Sequence, residues 1–427
     1  MLNRRTLLAA TAASLAAPAV LRAQTGKHIT FFYPIAVGGP LAAIIDEYCQ
    51  DFGKETGIVV SPVYAGNYTE TTTKVVSAIK DGHGPALAIL LAAEVHTLVD
   101  LDILMPLNDL KVDSAWVGGF YDAFLANSRK DGKLWSVPFQ RSTAVDYYNK
   151  AAFAEAGLNP EAFPTTWDGL ANAAEKLTRR DASGRVTRWG FKLASDAGNA
   201  LWSFGALANQ AGHVLMNQAG TEVYFNDPKA IEALAFWRSL AFDRKVMPEG
   251  VTAWDSLATD FTEGNAAIIQ STTGNLTNLR TNAPFAFGVG GLPGKIGVRT
   301  VVGGGNLYFM KHADQGQREA ALAFARYLTA PHQAADWCIR TGYIATRPEA
   351  WETPELQAYV RKVPAANVAR SYLPVATGEL STFENQRVQT VLTNQIQACL
   401  SGTKTPAQAM ADAQAEADLI LKPFRRG

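Results

Sequence analysis

The chain has 427 residues, 48% of them hydrophobic and 18% charged, with 39 basic and 39 acidic side chains for a formal net charge of zero. That balance provides no basic field for nucleic acid or an anionic membrane surface, and the length exceeds one ordinary core, so two lobes are expected. The cysteines Cys49, Cys338 and Cys399 are odd in number and far apart, which argues against a disulfide framework or a metal site and for packing as small apolar residues.

Residues 1–23 carry Arg4 and Arg5, then the apolar run Thr6–Val20, then Ala23 before a plausible cut. The run is too short and too rich in alanine for a membrane span of about 20 residues. The paired arginines resemble a twin-arginine export signal, with an ordinary secretory signal as the alternative. A free periplasmic protein beginning near Gln24 is therefore expected. Loss of the segment's three arginines takes the formal charge from 0 to −3.

Strand and helix signals then alternate. His28–Tyr33, Ile58–Val63 and Ala86–Leu91 read as strands. Leu41–Thr56, stopped by Gly57, and Thr69–Lys80 read as helices. This alternation predicts a parallel, doubly wound sheet. Val137–Lys150 (Val-Pro-Phe-Gln-Arg-Ser-Thr-Ala-Val-Asp-Tyr-Tyr-Asn-Lys) is a long β-prone run before a helical Ala151–Gly157. Thr166 caps Trp167–Thr178, and Asp227 caps Pro228–Asp243 with proline in the first turn. Ala266–Gln270, Phe285–Leu292 and Val301–Met310 are strand-like. Helices follow over Gln317–Leu328, Pro331–Arg340, Thr353–Lys362, Phe383–Cys399 and Thr405–Leu421. No long polar linker separates the lobes, so several short crossings are expected to join them.

Segments spread over the whole mature chain carry a family resemblance. They include Gly66-Asn67-Tyr68, Ala93-Glu94-Val95, Phe139–Lys150, Ser271-Thr272-Thr273-Gly274-Asn275-Leu276, Val302-Gly303-Gly304-Gly305, Thr341-Gly342-Tyr343, Gln386-Arg387-Val388 and Gly402-Thr403-Lys404-Thr405-Pro406. In that order they resemble the glycerol-3-phosphate-binding proteins of bacterial ATP-driven (ABC) importers, within the larger group of extracellular solute-binding proteins. The resemblance implies a two-lobed α/β periplasmic-binding-protein fold of the type II kind. Three crossings, near Ser142, Gly290 and Tyr343, would join residues 24–141 plus 299–342 to residues 142–298 plus 343–427. It further implies a ligand cleft between the lobes, hinge closure, membrane permease subunits as partners, a monomer, and neither cofactor nor metal.

Seven positions match the family's binding residues: Tyr68, Glu94, Ser142, Thr272, Gly304, Tyr343 and Arg387. Arg387 offers a planar fork of donors that suits a phosphate, against a solvated helix-face role. Thr272 precedes a short helical stretch, where its hydroxyl either meets an anion or caps the turn. Gly304 allows close backbone approach or marks a bulge. Tyr68 and Tyr343 present hydroxyls from a pocket wall or pack in a core. Glu94 suits ligand hydroxyls at a polyol end or caps the next helix. The expected ligand is glycerol-3-phosphate, a glycerophosphodiester or a related anionic polyol.

Three departures from the family bear on the ligand. Its paired tryptophans are missing over Ala194–Asn199, where Asp196 and Asn199 suit a more polar ligand. Arg141 replaces a small residue and could meet a second charge, and Ala345 replaces a proline. A neutral sugar, oligosaccharide or polyol is therefore the alternative ligand. No H-E-x-x-H, G-x-S-x-G or S-x-x-K motif stands in a suitable context, so no enzyme is expected. The scattered carboxylates leave a periplasmic hydrolase as a remote alternative.

Overall fold

The computed structural model of the chain describes residues 27–425, so the export segment expected over residues 1–23 lies outside the described residues. The first strands and helices follow the predicted alternation. His28–Tyr33 lies between Val59–Tyr64 and Leu87–Leu91, parallel to both. Helix Leu41–Thr56 ends at Gly57 in the left-handed region, and helix Tyr68–Lys80 starts from an Asn67–Glu70 capping box.

Beyond these three strands the doubly wound parallel expectation fails. Strand Thr300–Phe309 runs antiparallel to both Leu87–Leu91 and Ser136–Asn149. The chain comes back from the second lobe alongside the strand that carried it there. The return needs no helical crossover, and its direction is opposite.

Ser136–Asn149 is the axis of the molecule and is buried at all 14 positions. Its first half pairs with Thr300–Phe309; its second half pairs with Ile268–Thr272 and Phe287–Gly290. One strand thus belongs to the sheets of both lobes. The first core contains Phe31, Phe52, Phe139, Leu307 and Phe324. The second contains Phe153, Phe204, Trp237, Leu392 and Ile396. A third cluster, with Val145, Tyr147, Leu276, Val302 and Ile344, lies beneath the region where the chain passes between them.

Thr300–Phe309 also traverses both lobes. Thr300 begins against Ala144 and Asn209 on the second-lobe side, and Leu307 ends in the first core. Phe287–Gly290 still pairs beside the second core, so the passage expected near Gly290 falls within Thr300–Phe309. Ile344 N–H donates to the Arg141 carbonyl, 2.9 Å away, and ties the third passage to the first.

Several helices have no counterpart among the sequence expectations, Ala200–Gln210 and Trp254–Thr262 being the longest. Ala200–Gln210 is buried at nine of its 11 positions, which leaves no polar face. Trp254–Thr262 begins without a side-chain cap. All three cysteines are free and buried, and burial pushes their thiols up to about 12, 12 and 11 for Cys49, Cys338 and Cys399. Among the described residues, no helix is long and apolar enough to cross a membrane, and no group of acids, histidines and cysteines is arranged to hold a metal.

Candidate functional site

The candidate site is built on two strands, Ser136–Asn149 and Thr300–Phe309, where they pair between the two cores. Ser142 pairs with Gly303, Arg141 with Gly304 and Gln140 with Gly305. Gly304 has φ +97°, and a Cβ there would stand 2.1 Å from the Gln140 carbonyl oxygen. Only glycine fits that closeness and that backbone region. The register shifts just beyond it, between Gly305 and Asn306, so the bulge alternative for this glycine run is what forms. A Cβ on Gly305 would lie 2.9 Å from the Tyr68 ring, and one on Gly303 would lie 2.7 Å from the Trp202 Nε1. Gly305 and Gly303 let the Tyr68 and Trp202 rings settle on bare backbone.

Arg141 is fully buried. Its Nη1 donates to the Gly304 carbonyl at 2.8 Å, while Nε and Nη2 have no hydrogen-bond partner. Burial pulls its pKa down, against the pull of Glu379, Tyr68 and Tyr308. A guanidinium with two unmade bonds inside a protein is costly unless something else completes it.

Glu379 stands close by, on the segment between the short strand Ala376–Thr377 and helix Asn385–Leu400. The residue is part-buried, but its Oε2 is sealed and without a partner. Its Oε1 would lie 3.2 Å from a Cβ on Gly303. Burial pushes the carboxyl up to about 7, opposed by Arg141 and reinforced by Glu94. Trp202 covers the same spot. Its Nε1 donates to the Val302 carbonyl at 3.2 Å, and its ring meets Trp254 edge-on at 5.6 Å.

Most of the sequence-predicted residues converge here. Gln140 Nε2 donates to the Tyr68 hydroxyl at 3.0 Å and to the Tyr343 hydroxyl at 3.2 Å, so one amide sets both tyrosines. Burial raises the pKa of each phenol. Glu94 lies at the end of the turn Ala92–Glu94 and makes no capping bond. Its Oε1 instead accepts from Asn385 Nδ2 at 3.3 Å, and burial raises its pKa against that bond. Ser142 is buried, and its hydroxyl has no partner among the described residues.

Thr272 behaves as a cap. Its Oγ1 accepts from the Gly274 N–H at 3.2 Å, ahead of the short helix Leu276–Asn282. Asp196 and Asn199 bond each other at 3.2 Å beside the start of Ala200–Gln210.

Arg387 is not brought to the cleft. Its side chain is 64% exposed, and its contact is Glu384, one turn back at 3.3 Å. Asn385, Val388, Leu392 and Ile396 form the buried face of that helix. At about 100° per residue, Arg387 points away from Asn385, the helix residue that meets Glu94. It lines an outer groove with Thr390, Val391, Glu416 and Leu419. The phosphate role expected of it has no geometric support, and the buried guanidinium beside Gly304 is that of Arg141.

Several bonds run directly from lobe to lobe. Asn127 and Glu379 exchange two bonds, Nδ2 to carbonyl at 3.1 Å and N–H to Oδ1 at 3.0 Å. Ser381 Oγ donates to the Ala93 carbonyl at 2.6 Å, and Asn385 Nδ2 donates to the same oxygen at 3.2 Å. Trp254 Nε1 reaches the Ala36 carbonyl at 3.3 Å on the opposite rim. Residues 379–385 thus form a strap that bonds to Ala93, Glu94 and Asn127.

Gln140, Glu379 and Trp202 were missed as site residues. Gln140 adjoins Arg141 on the quoted β-run, a signal that was available. Trp202 lies three residues after Asn199 and Glu379 eight before Arg387, but neither carries a motif, and both reach the site through the packing of the second half of the chain.

A family model for bacterial extracellular solute-binding proteins matches residues 47–365. The sn-glycerol-3-phosphate-binding periplasmic protein of Pectobacterium atrosepticum is 26% identical, over 99% of this chain and 98% of its own length. UgpB from Mycobacterium tuberculosis, solved with glycerophosphocholine, superposes with a TM-score of 0.79 at 22% identity, covering 90% of this chain and 96% of that one. The cyclic alpha-maltosyl-1,6-maltose binding protein of Arthrobacter globiformis superposes with a TM-score of 0.78 at 23% identity, covering 93% and 99%. The two structural likenesses establish a shared two-lobed fold across proteins solved with or named for chemically different ligands.

Proposed function

We propose that this chain, which belongs to the bacterial extracellular solute-binding protein family, is the periplasmic substrate-binding component of an ABC importer and closes on a small sugar or polyol. One observation carries the ligand class: the cleft is lined by both signs of charge. The buried Arg141 guanidinium, with two unpartnered donors, stands with the carboxylates of Glu94 and Glu379. A hydroxyl both donates and accepts, so a polyol completes guanidinium and carboxylates together. Trp202, Tyr68 and Tyr343 add apolar ring surface with polar edges, which suits a sugar ring. A phosphate dianion would meet two carboxylates for one guanidinium, and Arg387 lies too exposed to redress the balance.

The proposed division keeps residues 24–141 with 299–342, and 142–298 with 343–427, as the two lobes, with the second passage running through the first residues of Thr300–Phe309. Tyr68, Glu94 and Gly304 come from the first, Thr272 and Glu379 from the second, and Ser142 and Tyr343 from the passages. Ligand contacts to both halves favour the closed form, whose joined surface is what permease subunits read. The protein acts as an exported monomer with no catalytic step and no cofactor.

A glycerophosphodiester is the second reading. It is favoured by the free Arg141 donors, which match a single negative charge, and by the glycerophosphocholine with which the Mycobacterium tuberculosis relative was solved. Thermal shift followed by calorimetry against maltose, D-tagatose, glycerol-3-phosphate and glycerophosphocholine separates the readings. Stabilisation by a neutral sugar is expected. Binding confined to glycerol-3-phosphate and abolished by Arg387→Ala would overturn the assignment.

A further inference from the structure

We propose that Glu379 is the residue that sets which ligand charge this cleft accepts, acting opposite Arg141 to exclude a doubly charged phosphate. The inference rests on the importer reading above but concerns a residue that neither the sequence motifs nor the family match singles out. Its basis is geometric. Opposite charges sealed inside a protein ordinarily collapse into a salt bridge, because their attraction is weakly screened there. Arg141 and Glu379 influence one another but form no ion pair within 4.0 Å, and each keeps an unpartnered polar atom.

Both are pinned by other bonds. Arg141 is held through Nη1 by the Gly304 carbonyl, on a strand that is itself paired on both sides. Glu379 is held through its backbone by the reciprocal Asn127 bonds, so its carboxylate is set by the position of the strap. The remaining donors of Arg141 and the remaining acceptor of Glu379 are therefore left unmet beside the Gly303–Gly304 backbone, where Trp202 also packs.

A ligand there must offer an acceptor to Arg141 and a donor to Glu379. A sugar or polyol hydroxyl pair does both. A phosphate monoester offers acceptors alone, and its second negative charge faces Glu379 and Glu94. Glu379 also occupies the strap, so it reaches its reading position only when the lobes have closed. Charge is then tested at the closing step, where a repelled ligand cannot hold the closed form.

The test is calorimetry of glycerol-3-phosphate and of maltose at pH 8, on the full mature chain and on Glu379→Gln and Glu379→Ala, with Arg387→Ala as the control. Circular dichroism confirms that each variant is folded. Both Glu379 variants are expected to bind glycerol-3-phosphate at least tenfold more tightly than the parent, and Arg387→Ala is expected to match the parent. Equal glycerol-3-phosphate affinity in parent and variants, or no binding by either variant at 10 mM, would overturn the role of Glu379. Failure of the sugar or polyol reading has another signature: neither maltose nor any other polyol binds, while the phosphate gain on Glu379 substitution persists.

Discussion

Asn385→Ala isolates the energy of the strap. Asn385 is fully buried, and its Nδ2 donates across the cleft to the Ala93 carbonyl at 3.2 Å and to Glu94 Oε1 at 3.3 Å. A neutral hydrogen bond contributes about 0.5–1.5 kcal/mol net, and one to a charged group about 1.5–3 kcal/mol. Both donors sit on one nitrogen and one bond is long, so a combined loss of about 2–3 kcal/mol is expected. The bonds to Asn385 Oδ1, from the Thr382 N–H at 3.0 Å and the Thr382 hydroxyl at 3.4 Å, make a local turn, and the stronger of them counts equally in both forms. Its loss lowers overall stability without moving the balance between them. The closed form should therefore become rarer by about 30- to 150-fold, since 1.4 kcal/mol is a factor of ten. Small-angle scattering of the ligand-free protein should give a larger radius of gyration for the variant, and ligand affinity should fall by a comparable factor. An unchanged radius together with affinity within threefold of the parent would refute the reasoning.

Three further outcomes follow from the site. The Glu379 carboxyl is pushed up to about 7, so it gains a proton as pH falls through that value. Affinity for a neutral polyol should weaken below pH 7, and Glu379→Gln should flatten the profile in calorimetry. Its folded value lies above the ordinary carboxylate range, so its contribution to stability is fullest near pH 4 and declines as pH rises toward 7 and beyond. Asp146 is buried on the long strand with both carboxyl oxygens unpartnered, and burial raises its pKa well above the usual range. The same sign applies, so Asp146→Asn should stabilise the fold at pH 8 by about 1–3 kcal/mol. That gain should shrink toward pH 4 in thermal unfolding. Gly304→Ala forces a side chain into the left-handed region and onto the Gln140 carbonyl. A loss of at least about 1–3 kcal/mol is expected in chemical denaturation, with ligand binding impaired.

Local signals carried much of the fold. The helix starts at Thr166 and Asp227 were readable because each cap acts within its own turn: Thr166 accepts from the Gly169 N–H, and Asp227 from the Lys229 N–H. The long run Val137–Lys150 was readable as β-prone, and Ser136–Asn149 is its structural counterpart; its part as a crossing was implied by the family resemblance alone. Sheet direction was less legible, because it depends on where the chain re-enters rather than on local period. The site divides in the same way. Tyr68, Glu94, Ser142, Gly304 and Tyr343 lie on or beside the first lobe and the crossings. Glu379 and Trp202 are set by how a helix and a strap of the second lobe lean over the cleft. The placement of Arg387 was accessible. Val388, Leu392 and Ile396 fix the apolar phase of that helix, and the same phase turns Arg387 outward.

The strand Ser136–Asn149 has a consequence for how the molecule folds. It gives its first half to one sheet and its second half to another, and Thr300–Phe309 repeats the arrangement in the opposite direction. Neither half of the protein can complete its sheet without chain that also builds the other. The two hydrophobic cores are accordingly not autonomous folding units. Fragments cut between them should fail to refold, and heating should give a single cooperative transition rather than two. Bending for ligand capture is confined to strands whose continuity also holds the whole molecule together.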